Sequence, residues 1–396
     1  MLKQRQLRAS LMRARRTLWH VLGQGCYDLT YDLMPVSIRG MSVAKRWNLL
    51  LAGTHLVRRS ARAPNLPLHM HFELTSYCNL HCPVCPTGLG VLGRAPRTMD
   101  VALYERVMRE VGPTLLTMSL WGWGESLLHP ELREFLRIAS RYPVATLIST
   151  NGQNLNQEEV VQALLDYPPA YLIVALDGLT DETNAVFRRG AQLAPALEGV
   201  RRLRELRIQR VQDRPILHMR CIIMKHNEHE VPHAPEFARA HGFDLLTLRT
   251  LAICNVPEDD HRRLLPESDA FRPYDYRDGA RETRDDYVCT EPYWFPALLA
   301  DGTLTACIHD SRADRPLGVI SGDNGLRAAW FSTEADRVRR SIRAERAGFC
   351  MQCPYADRRS EEPSVAAHWL NSGARTCIIR PSPRSHASGD RSCSHP

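Results

Sequence analysis

From Leu68 onward apolar and polar positions alternate. Leu68, Met70, Phe72 and Leu74 interleave with His69, His71, Glu73 and Thr75, which predicts a strand with two unlike faces. A helix is expected at about 100–112 and a second strand at 115–121. Pro130 then opens a helix whose Leu132, Phe135, Leu136 and Ala139 share one side. The unit recurs. A strand at 144–149 precedes a helix near 157–166, and a strand at 171–176 precedes helical residues through Arg188. A fifth strand covers 216–224, a helix entered at Pro235 stops at Gly242, and a sixth strand covers 245–251. Six strand–helix units predict an α/β fold, a partial (βα)6 TIM-like barrel with parallel strands and right-handed crossovers. Polar and glycine turns follow the strand ends, the face on which such barrels carry their chemistry.

The pattern breaks on both sides of this repeat, which sets the expected organisation. Residues 1–63 read as a basic helical arm and 64–256 as the barrel. Residues 257–286, dense in Asp, Arg, Glu and Pro, read as an irregular connector. A small C-terminal α+β unit is expected at 287–360, with Asp301-Gly302 as a hairpin turn. Residues 361–396, bearing Ser, Pro and Arg, read as a disordered tail. A chain of 396 residues, 44% hydrophobic and 24% charged, has room for two units and the composition of a globular protein.

The charge is uneven. Residues 1–63 hold twelve Lys or Arg against Asp28 and Asp32, although the whole chain is only +7. The positive balance therefore belongs to the arm, and nothing in the body calls for nucleic acid. Leu7, Leu11, Leu18 and Leu22 fall roughly on one side of a helix that could lie on an acidic membrane surface or a partner; a solvated leader is the other reading. The arm has no apolar signal-peptide core, and no apolar run is long enough to cross a bilayer, so the expected location is cytoplasmic, with membrane association open. Twelve cysteines in a reducing compartment point to metal binding more than to disulfides.

Seven of those cysteines fall into two sets. Cys78, Cys82 and Cys85 occupy one loop directly after the first barrel strand. Three thiols leave a four-iron cluster one protein ligand short, and an open coordination position is what a reactive site keeps. Cys289, Cys307, Cys350 and Cys353 form the second set, enough for a fully ligated cluster. On spacing alone zinc is the alternative in both places, as a knuckle with a distant fourth ligand and as a structural ribbon.

The spacing Cys-x3-Cys-x2-Cys resembles the radical S-adenosylmethionine (SAM) family. That resemblance implies a [4Fe–4S] cluster bound by three cysteines and SAM, reductive cleavage of SAM to a 5′-deoxyadenosyl radical, and hydrogen abstraction from a substrate. It also implies roles for turns that follow in the family's order. Gly122-Trp123-Gly124-Glu125 resembles the motif that binds the SAM amino group, whose common form is Gly-Gly-Glu; Trp123 is a departure, although a glycine still precedes the acid. Ser149-Thr150-Asn151-Gly152 resembles the polar turn near the ribose and methionine parts. Ala175-Leu176-Asp177-Gly178 resembles a Ser-Leu-Asp-Gly motif, Arg188 is a partner for the SAM carboxylate, and Asn227 matches a recurrent asparagine. Val84 stands where the family usually has an aromatic residue near the adenine. The second cysteine set resembles the Twitch domain, a shortened relative of SPASM, and implies one auxiliary [4Fe–4S] cluster. Relatives of that kind include the aminocyclitol dehydrogenase of butirosin biosynthesis, anaerobic sulfatase-maturating enzymes and peptide maturases. The implied partners are a small-molecule or peptide substrate and an external electron donor of the flavodoxin or ferredoxin type. Glu73, Arg220 and Arg249 lie on strands and are either substrate contacts or charges that brace one another. A non-catalytic metal-binding protein is the alternative of another class.

Overall fold

The structure, a computed structural model, describes residues 17–58, 60, 62–252, 263–277, 280–282, 284, 287–344, 348–359, 363–371 and 377–379. Before the barrel, β1 (Tyr27–Tyr31) and β2 (Met34–Ile38) form an antiparallel hairpin, followed by a helix over Val43–Arg58. The six barrel strands are β3 (His69–Phe72), β4 (Thr117–Ser119), β5 (Ala145–Thr150), β6 (Tyr171–Ala175), β7 (Ile216–Ile223) and β8 (Leu245–Thr250). They pair in sequence order and all in parallel. Beyond them lie the short pair β9 (Tyr276–Arg277) and β10 (Ala280–Arg281), then β11 (Ala297–Leu298), β12 (Thr303–Thr305) and β13 (Pro316–Val319). The last strands are β14 (Ser364–Trp369) and β15 (Cys377–Ile379).

The expected α/β barrel is present, and its sheet continues past both edges. On one side β11 joins β3 in parallel and carries β12 and β13; on the other β14 pairs antiparallel with β8. The C-terminal unit thus extends the barrel's own sheet. Helices cover the outside as the apolar spacing requires. Tyr104, Val107, Met108 and Val111 of helix Val101–Val111, and Leu132, Phe135, Leu136 and Ala139 of helix Leu132–Ala139, sit in one core with Met70, Phe72 and Met118. Asp100 caps the first of these, accepting from the N–H groups of Ala102 and Leu103. Helix Leu193–Gln209 adds Leu193, Ala196, Val200 and Leu203 to the same core.

Both ends of the chain depart from expectation. Residues 1–16 of the expected arm lie outside the described residues, but 27–38 form the hairpin, which enters the barrel. Met34, Val36 and Ile38 are packed with Ala145, Leu147, Tyr171, Ile173, Ile216 and Leu245, all from the N-terminal halves of the strands. The Tyr171 hydroxyl donates to the Pro35 carbonyl at 2.7 Å. This part of the expected arm, which is not its Leu7, Leu11, Leu18 and Leu22 side, is a stopper for the barrel base. Where a disordered tail is expected, Ser364–Trp369 forms β14 and Cys377–Ile379 pairs with β2 in parallel, because open edges at β8 and β2 leave backbone groups to satisfy. Cys26, unassigned by the sequence, is disulfide-bonded, where the sequence favoured metal binding over disulfides for the cysteines as a group. Much of the expected connector, with Cys254, and the end of the tail, with Cys393, lie outside the described residues.

Candidate functional site

The polar turns converge at the C-terminal ends of the barrel strands. Cys78, Cys82 and Cys85 follow β3 and pack in one cluster with Leu80 and Ala191. Backbone bonds shape their loop: Cys85 N–H donates to the Cys82 carbonyl at 3.2 Å, and His81 N–H donates to the Arg189 carbonyl at 3.0 Å. The second bond ties the cysteine loop to the turn that follows Arg188. Burial pushes the Cys78 thiol up to about 11 and raises that of Cys82, where the neighbouring Arg188 pulls the other way. Such thiols ionise only against a bound cation, so metal uptake here is coupled to proton release. Among the described residues no three His, Cys, Asp or Glu side chains converge closely enough to ligate a single metal ion.

Around this loop the other turns interlock. Asn151 donates through Nδ2 to Asn79 Oδ1 at 2.8 Å and lies 3.6 Å from the Cys78 sulfur. Glu125 is buried, and its two oxygens accept from the N–H groups of Leu127 and Asn151 at 3.0 and 2.8 Å. Burial raises its carboxyl despite these donors. The Thr150 side chain is a third donor to the carboxylate. Asp177 receives Arg188 Nε at 2.5 Å and the Ile222 N–H at 2.7 Å, and its carbonyl accepts from Asn227 Nδ2. Arg188 therefore stands between Asp177 and the cysteine loop, bonded to the first and beside the Cys82 thiol. Ser149 lies in register with Ile173, on the alternation that lines the lumen. Val84 packs with Phe187, Met224, Leu251 and Leu264, an apolar wall in place of a stacking ring.

The glycines before Glu125 are required by the chain itself. A Cβ on Gly124 would lie 2.3 Å from the Thr75 carbonyl oxygen, and one on Gly122 would lie 2.6 Å from the Glu73 Cβ. These close approaches press the motif against the end of β3. Trp123, the departure from the usual motif, turns the other way. Its Nε1 donates to the Ile308 carbonyl at 2.8 Å, and its ring packs with Cys307, Phe349 and Cys350. It links the first cysteine set to the second.

Cys289, Cys307, Cys350 and Cys353 line one small pocket with Glu291, His309 and Tyr355. All four expected ligands are brought together. Burial, then the Glu291 charge, raises the Cys289 and Cys307 thiols, and burial pushes the Glu291 carboxyl up to about 7.

The three strand charges expected either to meet substrate or to brace one another are paired. Glu73 is fully buried, forked by Arg94 Nη1 and Nη2 at 3.0 and 2.8 Å, and also accepts from Ala300 N–H at 3.1 Å. Arg220 and Arg249 both reach Asp32 at the hairpin tip, each at 2.8 Å. Their partners lie far off in sequence, which is why spacing could not supply Asp32 or Arg94; the odd position of Trp123 was the one legible signal of a link between sites.

Residues 72–260 match the family model described as "Radical SAM superfamily". This segment is a radical SAM domain. Relatives include the tungsten-containing aldehyde ferredoxin oxidoreductase cofactor-modifying protein of Pyrococcus furiosus, 23% identical over 46% of this chain. The mycofactocin maturase MftC of Mycolicibacterium smegmatis is 25% identical over 76% of this chain and 79% of its own length. The chain spans 51% of the Pyrococcus protein and 39% of the Mycobacterium ulcerans MftC. The crystal structure of Streptococcus suis SuiB bound to precursor peptide SuiA aligns over 79% of this chain and 76% of that one, at 15% identity and a TM-score of 0.55, a likeness of fold. Radical SAM domains hold a [4Fe–4S] cluster and SAM, and the thiol loop ringed by Glu125, Asn151, Asp177 and Arg188 has donors and acceptors suited to both.

Proposed function

We propose that this chain is a radical SAM enzyme that modifies a peptide or small molecule, by oxidation or cross-linking. The observation that carries the reading is the loop of three thiols after β3, short of a fourth ligand and ringed by the turns of β4 to β6. When bound, the reduced cluster and SAM supply a carbon-centred radical that abstracts hydrogen from substrate. The chain's own residues hold that chemistry in place. Cys78, Cys82 and Cys85 ligate iron. Glu125 and the carbonyls of 122–124 accept from the SAM ammonium, Arg188 faces its carboxylate, and Ser149 and Asn151 border the nucleoside. The hairpin stopper excludes water from the base of the lumen. In the Twitch/SPASM-like C-terminal unit, Cys289, Cys307, Cys350 and Cys353 would hold one auxiliary [4Fe–4S] cluster, which would supply an electron acceptor for an oxidation. An external flavodoxin- or ferredoxin-type donor supplies the reducing electron. Among the matched relatives, a PqqA peptide cyclase of Gluconobacter oxydans, 25% identical over 45% of this chain, favours a peptide substrate.

Anaerobic reconstitution tests the reading. The protein is expected to be brown, to carry about eight irons, and to form 5′-deoxyadenosine from SAM under reduction. A colourless zinc protein that leaves SAM intact eliminates it in favour of a non-catalytic metal-binding protein.

The N-terminal segment carries a second assignment, docking on an acidic membrane surface. Trp19, Leu22, Val43 and Trp47 are 65, 48, 80 and 60% exposed. Arg46 donates to the carbonyls of both Leu22 and Met41, which brings the two segments side by side. Exposed tryptophans beside basic residues suit a lipid headgroup layer. No described helix is long and apolar enough to cross a membrane.

A further inference from the structure

Beside the auxiliary cysteine pocket lies a cavity of about 710 Å³ whose walls come from three parts of the chain. The hairpin tip supplies Tyr31 and Asp32, β8 supplies Arg249, and the C-terminal unit supplies Tyr355 and Arg358. Glu291 and Tyr355 line both this cavity and the cysteine pocket, so the two spaces share a wall. The volume is that of a site for a small molecule or a few residues of a peptide.

Among the described residues its lining is rich in cations: Arg249, Arg284, Arg358 and Arg359 stand with two carboxylates, Asp32 and Glu291. Asp32 is already shared among Arg220, Arg249 and the Ser364 hydroxyl. Arg359 is held from outside by Asp269 and Asp275. Arg358 has no carboxylate partner among the described residues. It is 4% exposed, its guanidinium lies 5.2 Å from the centre of the Tyr355 ring, and all three of its nitrogens are buried without a hydrogen-bond partner. Neighbouring Asp357 is spent on Arg281 and the Arg284 N–H. A buried cation with every donor unmet is costly and rare, and its natural complement is an anion that accepts two parallel N–H bonds. Arg249 commits Nη1 to Asp32 and completes the cationic side of the wall.

We propose that this cavity seats a substrate by an oxyanion, a carboxylate or a phosphate, held by Arg358 and Arg249, with Tyr31, Phe295 and Tyr355 against the substrate's flat or apolar part. The assignment of this ligand as substrate rests on the radical SAM reading; the oxyanion site itself does not. It narrows the substrate class to molecules that carry an acid, such as a peptide segment with an acidic side chain or an acid-bearing small molecule.

Calorimetry on the anaerobically reconstituted full chain tests this with benzoate, phenylphosphate and the neutral isostere benzamide at fixed ionic strength. One oxyanion is expected to bind with one-to-one stoichiometry and at least tenfold more tightly than benzamide, and which one it is separates carboxylate from phosphate. Arg358→Gln is expected to weaken that oxyanion about tenfold or more and leave benzamide unchanged, with Arg358→Lys in between because a point charge replaces a fork. Absence of oxyanion binding, equal binding of benzamide, or an unchanged R358Q overturns the proposal. If R358Q does not fold, the wild-type comparison of charged and neutral probes decides alone. 5′-Deoxyadenosine formed by the same wild-type preparation is read separately. Its absence beside selective oxyanion binding sinks the enzyme reading and not the site; its presence without that selectivity does the reverse.

Discussion

Asp32 holds two arginines from positions the sequence could not have joined. Burial alone would raise its carboxyl, but Arg249 and Arg220 outweigh it and hold it at about 2, below an ordinary 3.8. A carboxylate whose folded value is depressed stabilises the fold above its unfolded value and loses that contribution as pH falls. Thermal melts of the wild type should therefore lose stability from about pH 4 toward pH 2, and Asp32→Asn should flatten that part of the profile. At neutral pH the same substitution leaves two buried cations short of a partner, at a cost of about 3–5 kcal/mol, read as a lower melting temperature. Trp123 makes a different residue-scale prediction. Trp123→Phe keeps a ring but deletes the donor to Ile308. The expected outcome is an unchanged iron content at the first cysteine set with a perturbed spectrum of the second.

At the scale of elements, the strands and most helices were legible because each has one buried face, and the period of that face is set by backbone geometry. The bounds moved by one to three residues at strand ends. Helix Leu193–Gln209 went unread although Leu193, Ala196, Val200 and Leu203 recur at helical spacing; its charged residues mask a narrow apolar stripe. The hairpin was illegible for a firmer reason. Its turn residues, Asp32 and Leu33, sit at φ 50° and 61°, where two-residue hairpins ordinarily use Asn or Gly. A leucine there announces no turn; only tertiary packing forces it. The glycine motif was located correctly and explained incompletely, since the nearest obstacle to a side chain is the end of β3 and no ligand is needed to demand glycine. Gly124→Ala should cost about 1–3 kcal/mol in chemical denaturation of the apo-protein, before any cofactor is added.

At the scale of the whole molecule, two cysteine sites were legible as sets and illegible as neighbours. Their spacing named the ligands; Trp123 and Glu73 tie the region after β3 and β4 to the C-terminal unit through Ile308 and Ala300, and those links cross hundreds of residues. Replacing Cys289, Cys307, Cys350 and Cys353 by Ala should lower the iron content from about eight to about four while Cys78, Cys82 and Cys85 retain theirs, as iron analysis and absorbance would register. The exposed Trp19 and Trp47 make a prediction outside the barrel. Trp19→Ser with Trp47→Ser should reduce co-sedimentation with vesicles rich in phosphatidylserine and leave neutral vesicles unaffected, and equal pelleting would dispose of membrane docking.

The hairpin that fills the base of the barrel also dictates traffic. Met34, Val36 and Ile38 close the floor with side chains that come from the same polypeptide, ahead of the strands they cork. With that end filled, the opposite mouth, among the cysteine loops, is the side on which a nucleoside and a substrate would have to meet.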